Sequence, residues 1–372
     1  MIIRGSLLRE PRKILVRATN WIGDAVISLP ALEALRARFP EAEIVVLAKP
    51  WVSSVYDRHP ALDRQIVFDP QGEHRGSGGF NALIQQLRKE RFDAAILFQN
   101  AFHAAWMAWR ANIPNRIGYA RDGRAFLLTE SIETPPPAAY GHQAYYYLNL
   151  LFRAGIIPQP EPPCPLEEIR LTVQPEERAW AVRHLESLGL GGPRFLIAMV
   201  PGASYGPAKR WSPERFAELA DRLIETLHAD VLLFGSAAER TLVEEVAREM
   251  EHTPTLVAGE TTLRQSMALF ERCRLVITND SGPMHVAAAM ALPVIGIFGS
   301  TNLYATGPFG PNARMVRHPV ECSPCGLRVC PIDFRCMEGV AVSTVYRVAL
   351  ELVKQLGAAH DHPARGKPSP LA

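Results

Sequence analysis

Short runs of β-branched and aliphatic residues alternate along the chain with longer stretches whose apolar positions recur at helical spacing. Buried parallel strands read as continuous apolar runs and need helical crossovers, so this alternation predicts α/β units. In the first half the strand candidates are residues 14–17, 44–48, 65–68 and 94–98, with helices clearest over 25–38 and 81–90. In the second half they are 195–200, 231–234, 256–257, 275–278 and 294–298, with helices over 213–227, 237–250, 263–272 and 284–291.

The 372 residues exceed one ordinary domain, and with 48% hydrophobic residues each half can bury a core of its own. Residues 158–165 are proline-rich, and Gln174-Pro175-Glu176-Glu177 then opens a new helix. Proline removes a backbone donor and resists regular structure, so a linker is expected here. The domains expected are residues 1–172 and 173–356, two open α/β sheets facing across a cleft, with a disordered tail at 357–372. A formal charge of +2 gives no broad basic footprint, and no nucleic-acid partner is expected. The apolar part of Met1–Leu8 is too short for an export signal, and no run reaches membrane-spanning length. The expected location is therefore cytoplasmic.

Ligands of open α/β sheets bind beyond the carboxyl ends of the strands, so the turns that follow strands carry the candidate chemistry. The first strand runs into Asn20-Trp21-Ile22-Gly23-Asp24, where Asp24 reads either as a helix N-cap or as a catalytic carboxylate. In the second half, Pro201-Gly202-Ala203 leads through Lys209-Arg210-Trp211 to a Ser-Pro helix start. That loop can offer phosphate both backbone N–H groups and a lysine charge. Glu239, after Gly235-Ser236, reads as a ribose-binding carboxylate or as a first-turn residue facing the helix dipole. The strongest signal is Asn279-Asp280-Ser281-Gly282-Pro283-Met284-His285. It puts an acid, a hydroxyl and a glycine on a helix that begins at proline, which makes an anion site suited to a diphosphate. His285 reads as a phosphate contact or as a packed core histidine.

With Phe298-Gly299-Ser300-Thr301 added, these motifs resemble the lipopolysaccharide heptosyltransferases of glycosyltransferase family 9, in the family's order, over about residues 13–356. The likeness is greatest to the branch that adds a second heptose to the inner core. It implies the glycosyltransferase B fold, with two Rossmann-like domains facing across a cleft. It further implies that the second domain binds ADP-heptose, the first binds a lipid A–Kdo–heptose acceptor, and the anomeric centre is inverted. Carried over by position, Asp24 is the base, Lys209 the diphosphate ligand and Glu239 the nucleoside-binding acid. Asp280, Ser281, Gly282 and His285 are the donor motif. No Asp-x-Asp motif ends a strand, so no cofactor is expected beside the donor substrate.

Arg116, Arg121 and Arg124 follow an aromatic stretch, 102–110, that contains Trp106 and Trp109. Arginines suit acceptor carboxylates and phosphates, although the tryptophan spacing also fits a core helix. The acceptor is membrane-embedded, so peripheral contact with the inner face of the inner membrane is expected. Arg4, Arg9, Arg12 and Lys13 can assist that contact. Cys322, Cys325, Cys330 and Cys336 form a compact array able to hold a structural metal, to pair, or to stay reduced. Three other functions compete: a heptosyltransferase with a different acceptor, a non-catalytic sugar-nucleotide-binding module, and an oxidoreductase. The last lacks a G-x-G-x-x-G turn after the first strand.

Overall fold

A computed structural model describes residues 10–136, 141–162, 165–166 and 170–360, with 356–360 described as backbone only. The chain divides into two compact units, Met1–Val173 with Asn302–Gly310, and Gln174–Thr301 with Pro311–Ala372. The short segment from the second half that belongs to the first unit has no signal in the sequence. Cys164, Arg4 and Arg9 lie outside the described residues, as does the tail from residue 361. The last helix, Val342–His360, runs past residue 357, where the tail was expected to begin.

The first unit holds strands β1 (Lys13–Arg17), β2 (Glu43–Ala48), β3 (Arg64–Val67), β4 (Ala94–Leu97), β5 (Asn115–Tyr119) and β6 (Glu130–Ile132). They form one sheet in the order β3-β2-β1-β4-β5-β6, with every pair parallel. The second unit repeats the plan with β7 (Leu196–Val200), β8 (Asp230–Leu233), β9 (Thr255–Leu256), β10 (Leu275–Asn279), β11 (Val294–Phe298) and β12 (Ala313–Arg317). Its order is β12-β11-β10-β7-β8-β9, again all parallel. Each is a doubly wound Rossmann-type sheet. The order reverses between the unit's first and fourth strands, β1 and β4 in one and β7 and β10 in the other. Crossovers leave that point in opposite directions and open a crevice at the strands' carboxyl ends.

The central strands are buried on both faces, which is why they read as unbroken apolar runs. In the first unit, Leu83, Ile84 and Leu87 of the helix Gly76–Glu90 pack with Leu15, Val45, Leu47 and Leu97 of the sheet. In the second, Phe216, Ala220 and Leu223 of the helix Pro213–Leu227 pack with Ile197, Met199, Leu233 and Ile277. The expected helix over 25–38 is two helices, Ile22–Ile27 and Leu29–Arg38, meeting at Ser28. Pro30 has no N–H to continue the ladder, and the Ser28 hydroxyl donates to the Ala25 carbonyl at 2.8 Å.

His59, 5% exposed, accepts a hydrogen bond at Nδ1 from the Ala61 N–H at 3.2 Å, a geometry that only the unprotonated nitrogen supports. Burial holds its pKa down to about 4. The unfolded chain therefore binds this proton more readily, and the contribution is complete above the unfolded pKa of about 6.5 and lost as pH falls toward 4. Chemical denaturation should show the first unit losing on the order of 3 kcal/mol across that window from this residue. The His59→Gln variant should flatten that part of the profile.

Candidate active site

The chain leaves β1 through a short loop into the helix Ile22–Ile27, whose N-cap is Trp21 in an extended conformation. Asp24 is therefore not the cap. It stands in the first turn, where a carboxylate is favoured by the helix dipole. It lines a cavity of about 260 Å³ together with Asn20, Asn100, Arg121, Gln143 and Tyr147. The Tyr147 phenol is buried, and burial followed by the negative field of Asp24 pushes its pKa well above the usual value. A neutral phenol thus stands beside an acid that has one side in a cavity, an arrangement able to orient a hydroxyl and take its proton.

Of the three candidate arginines, Arg121 lines this cavity. Arg124 is fully buried. Its guanidinium donates to the Tyr119, Gln99 and Ala101 carbonyls and to Asn100 Oδ1, so it braces the loop that presents Asn100. Gly118 makes room for it, since a Cβ there would stand 3.0 Å from an Arg124 nitrogen. Arg116 donates to the Leu127, Ile113 and Pro114 carbonyls. Trp106 stacks on Phe80 at 4.8 Å and packs against the core, whereas Trp109 is 49% exposed. Lys13 is committed to Glu90 at 2.6 Å and Glu43 at 3.2 Å.

In the second unit the loops after β7 and β10 are tied together across the switch point. Asn279 is fully buried; its amide donates to the Pro201 carbonyl at 2.7 Å and its Oδ1 accepts from the Trp211 N–H at 3.0 Å. The next residue, Asp280, is 3% exposed and accepts from Lys209 Nζ at 2.6 Å and from the Thr301 hydroxyl. The sequence quoted Thr301 only as part of a turn. Ser281 is the extended N-cap of the helix Gly282–Ala289 without a side-chain cap bond. Its hydroxyl pairs with that of Thr278 at 3.0 Å. An ammonium, two hydroxyls and a helix N-terminus thus converge at a strand end, an arrangement fit for a diphosphate. His285 is buried in that helix, 5% exposed.

Glu239 closes a capping box, accepting from the Ser236 N–H at 2.9 Å and the Ser236 hydroxyl at 2.7 Å. Its other oxygen lies against Gly202, where an added Cβ would stand 2.3 Å away. The glycine thus admits the carboxylate to the β7 loop. A segment carrying the cysteines braces the same region. The Ser323 hydroxyl donates to Gly299, the Gly326 N–H to Ser300, the Tyr205 hydroxyl to Gly326 and the Ala208 N–H to Arg328. The thiols of Cys322, Cys325, Cys330 and Cys336 are free. Among the described residues no three His, Cys, Asp or Glu side chains are placed to hold a metal ion. A larger cavity, about 990 Å³, opens at the opposite ends of the strands beside Phe195, Arg274 and Pro293, away from every motif residue.

Two doubly wound units, one carrying a carboxylate beside a sugar-sized cavity and the other a diphosphate-ready helix start, define a glycosyltransferase of the B fold. The chain belongs to glycosyltransferase family 9 (heptosyltransferase), whose model matches residues 80–334. It is 33% identical to lipopolysaccharide heptosyltransferase 2 of Escherichia coli K12 over 310 residues, 82% of this chain and 88% of that protein. The structure of E. coli ADP-heptose lps heptosyltransferase II matches with a TM-score of 0.79 at 29% identity, over 93% of this chain and 99% of that one. The glycosyl transferase family 9 protein of Veillonella parvula matches with a TM-score of 0.79 at 25% identity, over 92% and 97%. Among the described residues no helix is long and apolar enough to cross a membrane.

Asn279→Leu removes the bridge and leaves a buried carbonyl and a buried N–H unpaired. It should lower the stability of the second unit by about 2–4 kcal/mol in urea denaturation.

Proposed function

We propose that this protein transfers L-glycero-D-manno-heptose from ADP-heptose to the first heptose of a lipid A–Kdo–heptose acceptor, with inversion at the anomeric carbon. The observation that carries the reading is the Lys209–Asp280–Ser281 constellation at the switch point of the second unit. The names of the matching relatives supply the heptose and the lipopolysaccharide.

In this reading the diphosphate lies at the start of the helix Gly282–Ala289, against Ser281 and Gly282. Asp280 accepts heptose hydroxyls and fixes Lys209. His285, buried behind the first turn, supports that turn by packing. Glu239 takes the ribose hydroxyls with the oxygen its cap leaves available near Gly202. Asp24 removes the proton from the acceptor hydroxyl as it attacks the anomeric carbon on the face opposite ADP. Negative charge grows on the departing diphosphate as the sugar gains oxocarbenium character, and Lys209 with the helix N-terminus stabilises it. Arg121, on the wall of the Asp24 cavity, steers an anionic acceptor. The exposed aromatic side chains of Trp21, Trp51, Phe102, Trp109 and Phe126 fit a peripheral position at the inner face of the inner membrane, where the acceptor is presented.

Incubation with ADP-heptose and inner-core acceptors truncated before or after the first heptose tests the reading. Heptose should pass only to the acceptor that already carries one, and transfer to the shorter acceptor would refute this acceptor assignment. Asp24→Asn should lower kcat by about 10²–10⁴-fold while ADP still binds. Lys209→Met should lower kcat by about 10²–10³-fold and weaken ADP binding measured by calorimetry.

A further inference from the structure

Two cationic side chains, Arg17 and Lys49, and the imidazole of His103 stand together at the carboxyl ends of β1, β2 and β4, and the mechanism above uses none of them. Arg17 ends β1 and is 2% exposed. Its guanidinium donates to the Ala18 carbonyl at 2.6 Å, the Leu47 carbonyl at 3.1 Å and Asn20 Oδ1 at 3.1 Å, and its Nε is buried without a partner. Lys49 follows β2 as the N-cap of the helix Pro50–Tyr56 and lies 4.9 Å from the Trp51 ring. His103 sits in the first turn of the helix Phe102–Arg110, just after β4. Phe68 joins the group: the Arg17 guanidinium lies 5.9 Å from its ring, and the His103 ring stacks on it at 5.7 Å.

In this unit Lys13 and Arg64 meet Glu43 and Glu90, and Arg36 meets Asp63. Among the described residues no ion pair involves Arg17, Lys49 or His103. Burial lowers Arg17 to about 10; burial and then Arg17 lower Lys49; burial, then Arg17 and Lys49, lower His103. Lys49 and His103 thus feel the positive charge of Arg17, and the acidic group acting on Arg17 is the Tyr56 phenol, which burial keeps neutral. Such a cluster destabilises the empty protein and favours an incoming anion, most strongly beside a buried fixed charge. The cluster also adjoins the acceptor cavity. Asn20, which Arg17 holds by its side chain and Trp51 by its carbonyl at 2.9 Å, lines that cavity beside Asp24.

We infer that Lys49 and His103, over the buried charge of Arg17, form a binding subsite for a carboxylate or phosphate group of the acceptor saccharide. Lys49, half-buried, and His103, exposed, make the contacts, while Arg17 supplies the field and pins the Asn20 loop. The subsite rests on the reading of the first unit as the acceptor side.

Steady-state kinetics of Lys49→Met, His103→Gln and the double variant test it. The KM for acceptor should rise about tenfold for each single change, with kcat and the KM for donor within about twofold. Wild-type protein given acceptors that are carboxyl-reduced or dephosphorylated identifies the anion: the modification that raises KM for wild type but not for the double variant removes the subsite's ligand. A readout free of catalysis follows the His103 ring by NMR at fixed pH. Inorganic phosphate or acetate should shift its signals in wild type, and Lys49→Met should suppress the shift. Unchanged acceptor KM in the double variant, or ring signals unmoved by both anions, would overturn the subsite. A wild-type protein that transfers no heptose overturns the function proposed above, while the NMR comparison still decides on the subsite.

Discussion

Asp280 is 3% exposed, and a carboxylate so placed must be met by donors or give up its charge. Lys209 and Thr301 meet it, and in doing so they join the loops after β7, β10 and β11 around one carboxylate oxygen, Oδ2. Asn279 does the same for the backbone one residue earlier, satisfying a carbonyl and an N–H of the β7 loop. The arrangement of these loops therefore follows from two adjacent residues at the end of one strand. Remove their polar groups and the surrounding loops lose the partners that fix them. The same ties keep the Lys209 ammonium close to the helix start.

The two units use one strand order to opposite electrostatic ends. At the switch point of the second, a buried acid is matched by a lysine. At that of the first, a buried arginine stands with a lysine and a histidine and no acid among them, while Asp24 faces a cavity one loop away. The fold supplies the crevice in both cases, and the sign of what lines it comes from single residues at strand ends.

The alternation of apolar runs and helical stretches was enough to read most central strands as parallel α/β units, because strands covered on both faces leave no other pattern; the Rossmann-like plan came from the motif resemblance. Strands β5, β6 and β12 escaped that reading. Asn115–Tyr119 contains a glycine demanded by the Arg124 guanidinium, and Glu130–Ile132 and Ala313–Arg317 are sheet edges with exposed polar positions. The motif residues were legible because chemistry concentrates at turns after strands. Their partnerships were not: Lys209 and Asp280 are 71 residues apart, and nothing local announces the pair. Arg124 looked like a ligand arginine and is a buried brace. Arg17 and Lys49 passed as strand-end residues, since only their grouping with His103 in three dimensions makes them notable.

The segment Asn302–Gly310, nested in the second half of the sequence, belongs to the first unit. Its Gly307 carbonyl lies 2.8 Å from Nε2 of His142, whose ring also caps the helix Gln143–Arg153. The cavity residues Gln143, Tyr146 and Tyr147 ride on that helix. The first unit is thus assembled from two pieces of chain and cannot be excised or exchanged as one contiguous block. A chimera built by joining halves of two relatives near residue 173 would set the capping ring of His142 against a borrowed segment of backbone. The first unit is completed by nine residues that a linear map would credit to the second.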